Sequence, residues 1–427
     1  WYDFAPLGVE KLKEPFGMFS IWSRGIATAR DSWVWNFNAA ELGENMKKHI
    51  AFYEKERDRY ANSDKSMAVN DFVNYDETSC KWNRALFQRL QRDEHIEFRD
   101  SSVVLGHYRP FCKQYAYFDV SMLDMSYQMP VLFPSDSNNL AICLTLGSKP
   151  GAFIVDCLPD LHLNGDSQCF PLYWYEKREN VGGLFDEGDA SKGGYTRHDA
   201  ITDEALRIFR NVYPNAFPNR LKKDGGTGLT KEDIFYYVYG ILHSPEYRER
   251  FDANLKKELP RIPLANDFAA FANAGRGLAR LHLEYENLEP WPVVEMGDSE
   301  NPGPVEKIHW GKKKDLATGK KVDDHTALIY NGNLTIKEIP EAAQRYVVNG
   351  RSPLEWVVDR YQVKTDKASG IVNDPNEYSD DPRYIVDLIE KLIRVSMETM
   401  EIVDSLPPLQ EKPQPADWPF AWKADSI

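Results

Sequence analysis

Two stretches of this chain set cations among aromatic rings, a combination suited to gripping phosphates and stacking on flat ligands. In "RGIATARDSWVWNF", Arg24 to Phe37, two arginines bracket small residues ahead of a dense aromatic run. The guanidinium fork of Arg30 fits a phosphate or a guanine edge, and Gly25 and Thr28 permit close backbone approach or capping. The same residues equally support a structural reading, with Arg30 paired to Asp31 while Trp33, Trp35 and Phe37 alternate into a core. In "HYRPFCKQYAYFD", His107 to Asp119, Arg109 and Lys113 can satisfy phosphates, and Tyr108, Phe111, Tyr115, Tyr117 and Phe118 offer stacking faces. Pro110 favours instead a fixed turn joining two buried strands, with Arg109 kept as a contact candidate.

A third basic feature lies further along. From Glu284 to Glu300 the chain carries six acids and no base, whereas "VEKIHWGKKKDLATGKK", Val305 to Lys321, holds six lysines against Glu306 and Asp315, a net of +4. A solvated loop is one reading and phosphate contact the sharper one. The whole chain of 427 residues carries −14 at pH 7, which argues against diffuse attraction to nucleic acid. Salt screens charges beyond about 8 Å, so a few cations gathered on one side still act despite distant acids.

Other chemistry is not signalled. The glycines of "KDGGTGLTK" lack the spacing of a phosphate-cradling loop, and no nucleophile elbow, H-E-x-x-H or dinucleotide fingerprint occurs. The five cysteines, Cys80, Cys112, Cys143, Cys157 and Cys169, form no C-x-x-C pair and read as reduced, mostly buried thiols of a cytoplasmic protein; the nine histidines stand singly, so no metal is expected. Carboxylate pairs such as Asp119 with Asp124 are too common to name an acid and a base. No catalytic residue and no cofactor is assigned. No apolar run approaches the roughly 18 residues of a membrane span. The chain opens on Trp1, which fits a piece cut from a longer polypeptide.

The elements that must hold these residues follow from periodicity. "AAELGENMKKHIAFYEKERDRY" and "TSCKWNRALFQRLQRDE" read as helices, then the period shortens. "SSVVLGHYRPFC", "QMPVLF", "LAICLTLG" and "GAFIVDCLP" read as strands of a mainly antiparallel sheet over 101–175. Residues 176–230 mix glycine and charge around one helix near "DEALRIFRNVY" and suggest mobile loops. Ser244 before Pro245 ends one helix and starts another. "NDFAAFANAGRGLARLHLEYE" is a helix capped by Asn266 or Asp267, Asn331-Gly332 marks a hairpin, and a long helix follows Asp381-Pro382. The proline-rich end packs extended on the surface. The expected fold is α+β, in three parts: a helical entry over 1–100, a β-rich part over 101–230, and a helical part with a small hairpin over 231–427.

Four of these stretches, "GIATARDSWVWNF", "YRPFCKQYAYFD", "DIFYYVYGILHSPEYRERFDANLKKELPRIP" and "GRSPLEWVVDRYQVKTDKASGIVNDPN", in this order resemble the motifs of the C-terminal region of type ISP restriction-modification enzymes, over about residues 18–405. The resemblance implies a target recognition domain for double-stranded DNA, working in the same polypeptide as an upstream adenine-N6 methyltransferase, ATP-driven motor and nuclease. Placement on phosphates would then fall to Arg24, Arg30, Arg109, Lys113, Arg220, Lys222, Lys223, Lys312, Lys313, Lys314, Lys320 and Lys321, with base readers in 176–230. The rival is an acidic, aromatic-rich module that binds carbohydrate or protein through rings such as Tyr173, Trp174 and Tyr175.

Overall fold

A strand that is apolar at nearly every position must bury both faces, and "AICLT" and "GAFIV" do so. In the computed structural model, which describes residues 4–8, 17–147, 151–178, 194–217, 220, 228–416 and 418, strands Ala141–Thr145 and Gly151–Val155 pair antiparallel. Their sheet is completed by Gln168–Pro171 and Ser23–Arg24. Side chains alternate across it. Ala141, Cys143, Phe153 and Val155 enter one hydrophobic core, while Ile142, Leu144, Ala152 and Ile154 enter a second.

The first core also holds the helix Ala39–Ala61, which buries Leu42, Met46, Ile50 and Tyr53 at helical spacing and is capped by the Asn38 side chain on the amides of Ala40 and Glu41. Against it lies the hairpin of Val103–Arg109 with Cys112–Tyr117. Its tight turn contains Phe111 at φ +56°, so the reading of Pro110 as a turn between two strands describes what is seen. The neighbour Leu158–Pro159 runs parallel to the hairpin, an exception among mainly antiparallel pairings.

The second core is helical. Thr230 and Asp233 cap the helix Lys231–His243 reciprocally, and it crosses Phe268–Leu283 at a point where both backbones touch. A Cβ on Gly275 would stand 1.8 Å from the Tyr236 carbonyl oxygen, and one on Gly240 would stand 2.2 Å from that of Phe271. Ser244 caps the next helix, Pro245–Arg250, and Asp267 caps Phe268–Leu283. The tail runs extended beside 264–266, with the Lys412 amide 2.7 Å from the Leu264 carbonyl oxygen.

A four-stranded antiparallel sheet follows, in the order Val294–Gly297, Leu334–Lys337, Lys321–Ile329, His309–Lys314. Asn331 turns the predicted hairpin by accepting from the Asn333 and Leu334 amides at 2.8 and 3.0 Å. The helix Tyr384–Asp404 packs into the first core.

Three expectations need correction. "QMPVLF" is a short helix, Met129–Leu132, because Pro130 suits a first helical turn and gives a sheet no donor. The second helix begins only at Arg84, where Asn83 accepts from the Leu86 amide at 3.0 Å. The lysine window is a paired strand and turn rather than a solvated loop. The fold is the expected α+β mixture. Both cores draw on all three anticipated parts: Leu42, Cys143 and Ile385 share one, and Phe4, Ile142 and Ile234 share the other.

Candidate nucleic-acid interface

Among the described residues, the basic side chains singled out in the sequence are either enclosed and paired or left exposed. Arg30 is 1% exposed. Its Nη1 lies 3.4 Å from His49 Nε2, its Nε and Nη2 find no partner among the described residues, and burial lowers its pKa to about 10. Trp33, Trp35 and Phe37 are buried as well. So enclosed, the guanidinium presents no open face for the phosphate contact expected of it. The alternative pairing with Asp31 is not formed either, because that carboxylate accepts from Thr28 Oγ1 and the Tyr108 hydroxyl. Gly25 does serve a close approach, but to the chain itself: a Cβ there would lie 2.3 Å from the Asp160 carbonyl oxygen.

Arg109 and Lys113 are likewise enclosed and paired. Arg109 is 8% exposed, lies over the Tyr108 ring, and places Nη1 2.6 Å from Asp160 Oδ1. Burial raises the Asp160 pKa to about 6 against the pull of Arg109. Burial disfavours the guanidinium's charge as well, yet Asp160 and Asp31 outweigh it and raise the Arg109 pKa. Lys113, also 8% exposed, sits with Nζ 2.9 Å from Glu286 Oε2, and the Tyr384 hydroxyl donates to the other oxygen of Glu286. These cations tie the hairpin to distant elements.

Arg220 is partly open but committed. Its Nη1 contacts both carboxylate oxygens of Asp233 at 2.6 and 2.8 Å, reinforcing the cap of Lys231–His243. Lys222 and Lys223 lie outside the described residues, as does much of 176–230. Within that stretch, Asp203–Val212 is the predicted helix, and Tyr195–Asp199 pairs with Tyr173–Lys177. This pairing covers the rings of the rival reading: Trp174 stacks on His198 at 4.3 Å, Arg197 lies over Tyr173, and Tyr175 is buried with its hydroxyl on Asn138. Tyr173 and Trp174 stay half-buried, each with one face taken by a neighbour from the paired strand.

The structure brings together the lysines of the window. Lys312, Lys313, Lys314, Lys320 and Lys321 are exposed on the two-stranded end of the last sheet. Lys312 pairs with Asp323, and Lys313 lies 3.3 Å from Asp324. Lys314, Lys320 and Lys321 have no carboxylate in ion-pair range among the described residues. Arg24 is exposed on the short edge strand Ser23–Arg24, paired to Gln168. Sequence reasoning passed over Leu316, fully exposed between these lysines; one apolar residue amid turn-forming neighbours was the available signal.

Donor groups elsewhere are sparse. Among the described residues, His107, Asp156 and Cys157 form the one cluster of metal-binding composition. His107 Nε2 stands 3.3 Å from Asp156 Oδ1, and the charge of Lys113 acts on all three, which disfavours a cation. The cysteines are free thiols. No described helix is long and apolar enough to cross a membrane.

The family model described as Type ISP C-terminal specificity domain matches residues 17–388. Among solved structures the chain is similar to a nuclease-deletion mutant of the Type ISP restriction-modification enzyme LlaGI in complex with a DNA substrate mimic. That match has 34% identity and a TM-score of 0.77 over 96% of this chain and 29% of that one. It is similar to the ATP-dependent Type ISP restriction-modification enzyme LlaBIII bound to DNA, at 35% identity and TM-score 0.79 over 96% of this chain and 24% of that one. A third match is the DrdV–DNA complex, at 27% identity and TM-score 0.78 over 96% of this chain and 38% of that one. The chain therefore spans well under half the length of each. No curated protein matches it.

Proposed function

The chain belongs to the Type ISP C-terminal specificity domain family, and from that premise we propose that it selects the DNA sequence on which a restriction-modification enzyme acts. The observation that carries the reading is that 96% of the chain shares its fold with enzymes whose structures were solved on DNA, at up to 35% identity. In this reading the chain holds duplex DNA for a methyltransferase, motor and nuclease in upstream domains of the same polypeptide. It performs no bond chemistry itself and requires no cofactor of its own.

The division of labour follows from what is exposed. Phosphates are met by cations without an ion-pair partner among the described residues, first Lys314, Lys320 and Lys321, then Arg24. Such contacts fix register and carry no sequence information, which comes from side chains on base edges in the major groove. Each good bidentate contact discriminates by roughly 1–3 kcal/mol. The polar residues of 176–230 remain our proposed source of such readers.

The test is an exchange of residues 17–388 for the equivalent part of a related enzyme, followed by sequencing of modified adenines in a host carrying the hybrid. The modified sequence should change to that of the donor. An active hybrid that keeps its original sequence would overturn the proposal.

A further inference from the structure

The last sheet ends in a projection that folding alone does not account for. Lys321–Ile329 pairs with Leu334–Lys337 only through Ala327, Leu328 and Ile329. Beyond a register shift at Trp310/Gly311, residues 321–324 pair with 311–314 and nothing else. Four residues per strand carry this ribbon roughly 13 Å past the sheet.

Charge is sorted along it. At the root, Lys312 and Lys313 are matched by Asp323 and Asp324. At the tip, Lys314 stands directly opposite Lys321, next to Lys320, with no carboxylate in range among the described residues. Like charges across a strand pair destabilise it. The one acid at the tip, Asp315, is used by the turn, accepting from the amide and hydroxyl of Thr318 at 2.6 Å each.

The same turn holds Leu316 out, fully exposed. Asp315 and Lys320 close it with an amide–carbonyl bond of 2.8 Å, a second bond of 2.8 Å joins the Gly319 amide to the Asp315 carbonyl, and Gly319 adopts φ +70°. A lone exposed leucine needs no explanation. A leucine held out at a fixed turn beside cations that repel one another offers charge and apolar surface at one point, and a polyanion with an apolar feature matches both. The major groove of DNA, about 12 Å wide, admits a two-stranded ribbon, and its apolar feature is the 5-methyl group of thymine.

We propose that this ribbon enters the major groove, with Lys314, Lys320 and Lys321 on phosphates and Leu316 against the methyl group of a thymine in the target sequence. The inference rests on the DNA-selecting function above and adds a named reader outside 176–230.

The experiment measures binding of the complete native protein to its target duplex and to duplexes in which each target thymine in turn is replaced by uracil. Wild type should lose about fourfold at one position, the value of one buried methyl group. Leu316→Ser should bind the unmodified target more weakly, by about the same factor or more, and be indifferent to uracil at that position. Its melting temperature should be unchanged, since Leu316 packs against nothing. Lys314→Ala/Lys321→Ala should weaken all duplexes alike. If no uracil position separates wild type from Leu316→Ser, the leucine reads no thymine and the inference fails, while a wild-type preference for target over scrambled duplex leaves the function standing. Loss of that preference as well would remove both.

Discussion

Replacing Arg109 by alanine strands Asp160, 2% exposed, without its cation. Removing one partner of a buried pair costs about 3–5 kcal/mol, so denaturant unfolding should show a correspondingly lower midpoint. The deficit should grow from pH 5 to pH 8, because the lone carboxyl binds a proton at low pH and must carry a buried charge at high pH. Lys314→Ala should shift stability by less than about 0.5 kcal/mol, as an exposed side chain away from any packed feature. Glu390 gives a second pH signature. Burial, and then the neighbouring Glu295 carboxylate, raise its pKa to about 8, above the unfolded value of about 4.3. Over that window the folded state holds a proton the unfolded state has released, so stability falls as pH rises. Glu390→Gln should flatten this part of the profile and raise the melting temperature relative to wild type at pH 8. None of these roles is legible locally. The sequence shows that Arg109 and Lys113 are cations, but their partners lie 51 and 173 residues away, and only the fold decides which cations are spent indoors.

At the scale of elements, the signals that worked were those complete within a few residues. Ser244, Asp267 and Asn331-Gly332 act through a side chain on an amide two or three positions ahead, so their meaning needs no tertiary partner. The lysine window misled because a strand whose outward residues are charged shows no apolar alternation. It becomes a strand only through its register with 321–329. "QMPVLF" misled in the opposite sense, since a short apolar run does not distinguish strand from helix. The crossing of Lys231–His243 with Phe268–Leu283 makes a strong prediction. Gly275→Ala places a methyl group against a backbone carbonyl that cannot swing aside, so the helices must separate. A loss of about 1–3 kcal/mol or more is expected in urea unfolding, whereas Gly332→Ala, with open space around it, should cost little.

The molecule as a whole carries −14, while its proposed function is to bind DNA. The two statements are compatible because screening over about 8 Å isolates a cationic tip from distant acids. The salt dependence of duplex binding reports how many cations take part. Each phosphate contact contributes roughly 0.9 to the slope of log K against log salt. The triple change of Lys314, Lys320 and Lys321 to alanine should therefore flatten that slope by about 2–3, with the fold intact by circular dichroism; an unchanged slope would place the contacts elsewhere. The sheet built on Ala141–Thr145 and Gly151–Val155 has its own consequence. Its alternate side chains line both hydrophobic interiors, so it is a party wall: neither half of the molecule can melt and leave the other standing. Calorimetry should record one endotherm, and a chain severed at the wall should yield no half that folds by itself.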